Sequence, residues 1–154
     1  MLLGATSLQA QNITQDQSKI ILRISTTGGL CPYAQCHSEL LVYDDGTGTF
    51  KEGSQEKQFT INSKELNELL TLIEQANFED LRKIEFTNDC PTAYDSKQFI
   101  YSFLTKHGEE ILDSCKNVLN EETPLLKSTQ EIQSKAYNSV VSDSKIREQN
   151  TYFK

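Results

Sequence analysis

Residues 98–106 restrict the fold more than any other stretch of this chain. Phe99, Tyr101 and Phe103 alternate with Ile100, Ser102 and Leu104, the period of two that sends neighbouring side chains to opposite faces of a strand. His107-Gly108 predicts a turn, and 109–115 a returning strand. Strands joined by a tight turn pair antiparallel, so this region predicts a hairpin with one aromatic face to bury.

The rest of the chain repeats that theme. Residues 19–25 are rich in β-branched side chains and predict a strand, broken at Thr26-Thr27-Gly28-Gly29. Asp45-Gly46 follows a second apolar run and signals a hairpin turn, in a register that sets Tyr43 opposite Gly48 and Leu41 opposite Phe50. A short strand over 58–61 comes next. Asn62 then predicts a helix cap, with Glu65 three residues on completing a capping box. Leu66, Leu69, Leu70, Ile73 and Ala76 fall at helical spacing and mark one buried stripe. Asn77 predicts a left-handed stop. A last helix is expected over about 122–137. The class that follows is α+β: an antiparallel sheet built from hairpins, with two helices packed on one face.

The chain has 154 residues, enough for one core without metal or partner. Net charge is -7, from 15 Lys+Arg against 22 Asp+Glu. Such a surface repels phosphate backbones and anionic lipid, which argues against nucleic-acid binding. No apolar run reaches the length of a membrane span. The opening Met1-Leu2-Leu3 and the later Leu8-Gln9-Ala10 read as a signal-peptide remnant over 1–10, followed by a polar linker over 11–18. A single domain is expected over 19–140, with a polar, flexible tail over 141–154.

Four cysteines fit export to a periplasmic or extracellular compartment. Cys31, Cys36, Cys90 and Cys115 allow three pairings. The preferred one is Cys31–Cys36 with Cys90–Cys115; the second choice joins Cys31 or Cys36 to Cys90. A metal site from Cys31, Cys36, His37 and Cys90 ranks lower, because the Cys-x4-Cys-His spacing is unusual for zinc and thiolates do not survive oxidation. No cofactor motif occurs: there is no phosphate-cradling glycine loop and no nucleophile elbow.

Two constellations remain. Glu109, Glu110 and Asp113 share the second hairpin with His107. Paired carboxylates can do acid–base chemistry, which gives the alternative of an unusual hydrolase, although a charged outer sheet face or an edge guarded against aggregation explains them better. Tyr33 and Tyr94 each follow a Cys-Pro corner, and aromatics on stapled loops are apt anchors for a protein partner.

Tyr43-Asp44-Asp45-Gly46-Thr47, together with Leu69-Leu70 and Ala76-Asn77-Phe78-Glu79-Asp80-Leu81, resembles a family of small exported bacterial domains of unknown function marked by a Tyr-x-Asp-Gly-Thr hairpin. Here Pro32 follows the first loop cysteine, whereas that family often places proline after the second. The layout is similar, more distantly, to emfourin-type inhibitors of metalloproteases. These resemblances imply a binding module and supply no catalytic residue. The expectation is therefore an exported, non-enzymatic interaction domain, with protease inhibition as one form of it.

Overall fold

The computed structural model describes residues 18–29, 37–94 and 96–151. Among the described residues six strands form one antiparallel sheet: β1 (Ile20–Gly28), β2 (His37–Tyr43), β3 (Thr47–Glu52), β4 (Gln55–Thr60), β5 (Lys97–Thr105) and β6 (Gly108–Asp113). Their spatial order is β4-β3-β2-β1-β5-β6. The α+β fold is completed by α1 (Ser63–Gln75), the single-turn α2 (Phe78–Leu81) and α3 (Pro124–Thr151). The signal remnant, most of the linker, and Cys31, Pro32, Tyr33 and Cys36 lie outside the described residues.

One sheet face carries the core. Leu22 and Ile24 of β1, Leu40 and Val42 of β2, Phe50 of β3, Tyr101 and Phe103 of β5, and Leu112 of β6 are all buried. They pack with Leu69 and Ile73 of α1 and Leu125, Leu126, Ile132 and Ala136 of α3. The predicted alternation of β5 is observed: Phe103 is fully buried and Leu104 is 40% exposed. Ile21 is buried out of phase with its neighbours, because the β1–β2 register slips between Ile20 and Leu22. A bulge of this kind inserts one extra residue and turns it inward.

The first hairpin differs from the expected register by one residue. Leu40 pairs with Phe50 and Val42 with Gly48, so Tyr43 and Leu41 do not face Gly48 and Phe50. The loop has three residues, not two. The Gly46 N–H donates to the Tyr43 carbonyl at 3.0 Å and Gly46 has φ +82°, the arrangement of a type I turn followed by a left-handed glycine. The slip matters because strand side chains have period two: only this register puts Leu40, Val42 and Phe50 together on the buried face. Gly48 sits under the ring of Phe59, its partner on β4, and a Cβ there would also lie 2.7 Å from the Leu41 carbonyl. β4 is longer than expected, starting at Gln55 after a Gly53-Ser54 turn.

At α1 the capping box forms as predicted. Asn62 Oδ1 accepts from the N–H groups of Lys64 and Glu65 at 3.0 Å, and Glu65 Oε2 accepts from the Asn62 N–H at 3.2 Å. Asn77 is not a left-handed stop. Its φ of -92° is ordinary, and its side chain caps α2 by accepting from the Asp80 N–H. The last helix begins at Pro124, where a missing N–H costs nothing, and runs to Thr151 rather than ending near Tyr137. The segment expected as a tail is therefore helical in its backbone up to that residue. α1 and α3 run against each other, joined by an ion pair between Glu65 and Lys135.

Candidate functional site

The antiparallel layout sends the C-termini of β1 and β3 and the N-termini of β2 and β5 to one end of the sheet. Thr27 pairs with His37, Gly28 with Lys97, and Ser38 with Glu52. The same end receives the loop between α2 and β5, whose 3-10 turn Pro91–Tyr94 carries the backbone of Tyr94. That loop approaches β1 closely. A Cβ on Gly28 would lie 2.6 Å from both the Ser96 carbonyl and Thr92 Cγ2, and Gly28 has φ +87°; only glycine meets both conditions.

A disulfide fixes this loop. Cys90 is bonded to Cys115, with Cα atoms 4.8 Å apart and a sequence separation of 25. The preferred partner for both residues is thus observed, and Cys90 has no thiol left for Cys31, Cys36 or a metal. Cys31 and Cys36, and with them the other half of that pairing, lie outside the described residues, as does Tyr33. Among the described residues no three His, Cys, Asp or Glu side chains are grouped to hold a metal ion. A cross-link of this kind is consistent with an oxidising compartment. Among the described residues no helix is long and apolar enough to cross a membrane.

Asp113 organises the β6 side of the staple. It is buried at 7% exposure. Its Oδ1 accepts from Gln98 Nε2 at 2.8 Å and from the Cys115 N–H at 2.9 Å. Lys116 Nζ stands 3.7 Å from Oδ2, and the Asp113 carbonyl accepts from the N–H groups of Lys116 and Asn117. One carboxylate therefore ties β5, β6 and the turn bearing Cys115. Beyond it Glu85 and Asn117 bridge the two flanks of the cross-linked loop.

The carboxylates of the second hairpin do not meet. Glu109 and Asp113 share the outer sheet face but stand four residues apart on one strand, about 13 Å. Glu109 accepts from Ser102 Oγ. Glu110 points to the opposite face and pairs with Arg82 at 2.8 Å. His107 belongs to the far end of the sheet, in the two-residue turn after Thr105. It lines a cavity of about 430 Å³ with Glu110, Arg82, Glu74 and Glu79, and neither Glu109 nor Asp113 lines it.

Sequence reading missed a second feature of the loop end. Under α3 lies a cleft of about 390 Å³, walled by Phe50 of β3, Phe99 of β5 and Tyr137 of α3, with Gln133 at its edge. Tyr137 meets Phe50 edge-on at 6.3 Å and is 46% exposed. Phe99 is stacked on Tyr101 at 6.2 Å, and Tyr101 on Phe103 at 6.3 Å, so the wall continues into the core. Burial pushes the Tyr101 phenol up to about 12; the nearby Glu121 carboxylate adds to this, and a hydrogen bond with Gln130 opposes it. No family model, no curated protein and no solved structure matches the chain.

Proposed function

We propose that this chain is an exported, non-enzymatic interaction domain that meets a protein partner through the loop end of its sheet. Protease inhibition is the form suggested by the resemblance to emfourin-type inhibitors. The observation that carries the reading is the construction of that end. A disulfide, the buried Asp113 and the close approach at Gly28 hold the loop of Tyr94 against the sheet, beside the end of β1 and the start of β2. Loops fixed before contact lose little entropy on binding, which favours tight association. The second hairpin supports the hydrolase alternative less well, because its acidic groups sit on different faces and at different ends.

The test is a comparison of the oxidised chain with its Tyr33→Ala/Tyr94→Ala variant. Each is immobilised, exposed to an envelope fraction, and its bound proteins are identified by mass spectrometry; each is also titrated against a thermolysin-type metalloprotease. The reading expects one partner retained by the parent chain and lost by the variant at unchanged melting temperature. Identical retention by both proteins, or turnover of a hydrolase substrate by the parent chain, contradicts it.

A further inference from the structure

We propose that the cleft beneath α3 is a binding site for a neutral saccharide. This goes beyond the protein-partner reading, which concerns the loops and not the space under the helix. The chemistry of the walls argues for the ligand class. Every apolar side chain that lines the cleft is an aromatic ring: Phe50, Phe99 and Tyr137. Among the described residues no aliphatic side chain takes part. The remaining lining is hydroxyl groups, the amides of Gln133 and Asn138, and one charge of each sign, Lys97 and Glu52.

A slot for an aliphatic or aromatic side chain of a partner is walled mainly by apolar groups. A site for an anion or cation carries an excess of one charge. This cleft has neither. A pyranose ring has apolar C–H faces that pack on the negative face of an aromatic ring. Its hydroxyl groups both donate and accept, and so do the amides and hydroxyls around the rings. The volume of about 390 Å³ lies in the range of small-molecule sites. The cleft is also only loosely closed from within. Gln133 Nε2 donates to the buried Thr26 Oγ1 at 3.4 Å, a long bond that a ligand hydroxyl at shorter range can replace. Tyr137, at 46% exposure, leaves part of its ring for stacking.

The test is a titration of the full, oxidised chain followed by amide chemical shifts in two-dimensional NMR. The probes are a trisaccharide of N-acetylglucosamine, maltotriose, and N-acetylphenylalaninamide as an apolar ring without hydroxyls. The proposal expects at least one saccharide to give saturable shifts at Phe99, Gln133 and Tyr137. Tyr137→Ala should weaken that binding about tenfold, and Tyr137→Phe, which keeps the ring, should stay within about threefold. Ser134→Trp, which fills the cleft, should abolish it. The Tyr94→Ala variant should bind the sugar as the parent does, which separates this result from the fate of the protein-partner reading. Melting temperatures establish that each variant is folded. Absence of saturable shifts with both saccharides overturns the proposal. So does equal or tighter binding of the phenylalanine amide, or a Tyr137→Ala variant of unchanged affinity.

Discussion

Replacing Asp113 should weaken the fold, and the size of the loss follows from its bonds. Asp113→Ala removes the acceptor for Gln98 Nε2 and for the Cys115 N–H at a site of 7% exposure. A hydrogen bond to a charged group contributes about 1.5–3 kcal/mol. Two such bonds that share one oxygen are not additive, so the expected loss is about 3–4 kcal/mol. The 3.7 Å approach of the exposed Lys116 adds little, since a surface pair is worth about 0–1 kcal/mol. Asp113→Asn keeps a neutral acceptor in the same place and should cost about 1–2 kcal/mol. For a domain of this size those figures correspond to falls in melting temperature of about 10 °C and about 4 °C. Urea denaturation of the oxidised chain measures both, and hydrogen exchange at the Cys115 amide reports the local loss. The same variants separate a structural carboxylate from an acid–base one. If Asp113→Ala lies within about 0.5 kcal/mol of the parent, which is the scatter of ordinary surface substitutions, the bonding scheme around the staple is wrong.

Three further outcomes follow from the structure. Asn62→Ala removes the cap of α1 and should cost about 1 kcal/mol in urea denaturation; an unchanged midpoint would mean that the capping box of Asn62 and Glu65 does not hold the helix. The Asp45 carboxylate is held below the ordinary aspartate value by the Thr47 hydroxyl first, then by the Thr47 N–H and Ser18. Its folded value is depressed, so its contribution to stability is present above about pH 4 and is lost as the pH falls below that; NMR titration should show Thr47→Val moving the Asp45 midpoint upward. Tyr101 has a raised value of about 12, so its contribution is full below the ordinary tyrosine range and is lost as pH rises through about 12. Ultraviolet absorbance of the phenolate should show one tyrosine ionising late, and Tyr101→Phe should remove that phase.

Where local chemistry decides the structure, the sequence was readable. The alternation of Phe99, Tyr101 and Phe103 appears as the core-facing side of β5, with Tyr101 and Phe103 buried and Phe99 partly buried against them, and Asn62 with Glu65 forms the predicted box. The pairing of Cys90 with Cys115 also follows from their closeness in a hairpin-built fold. Two misreadings share a cause: one residue type serves two geometries. Asp45-Gly46 fits a two-residue turn, but here Gly46 supplies the left-handed residue after a type I turn, and burial of Leu40 with Phe50 selects between the two. Asn77 can close one helix or open the next, and the Asp80 N–H takes it for the second role. The extent of α3 was hidden because its apolar pattern fades after Tyr137; no glycine or proline follows Pro124, so nothing ends the helix there. The aromatic cleft was beyond local reading altogether, since Phe50, Phe99 and Tyr137 come from three elements distant in sequence. Only the sheet order and the path of α3 bring them together.

The account rests on an oxidised staple that holds the loop end of the sheet in one shape. Peptide mapping of the unreduced chain, alkylated in denaturant before digestion, tests it most directly. The account predicts no alkylated cysteine, one cross-linked pair containing Cys90 and Cys115, and a second containing Cys31 and Cys36. Alkylated thiols at Cys90 and Cys115, or a cross-link from either of them to Cys31 or Cys36, would contradict it.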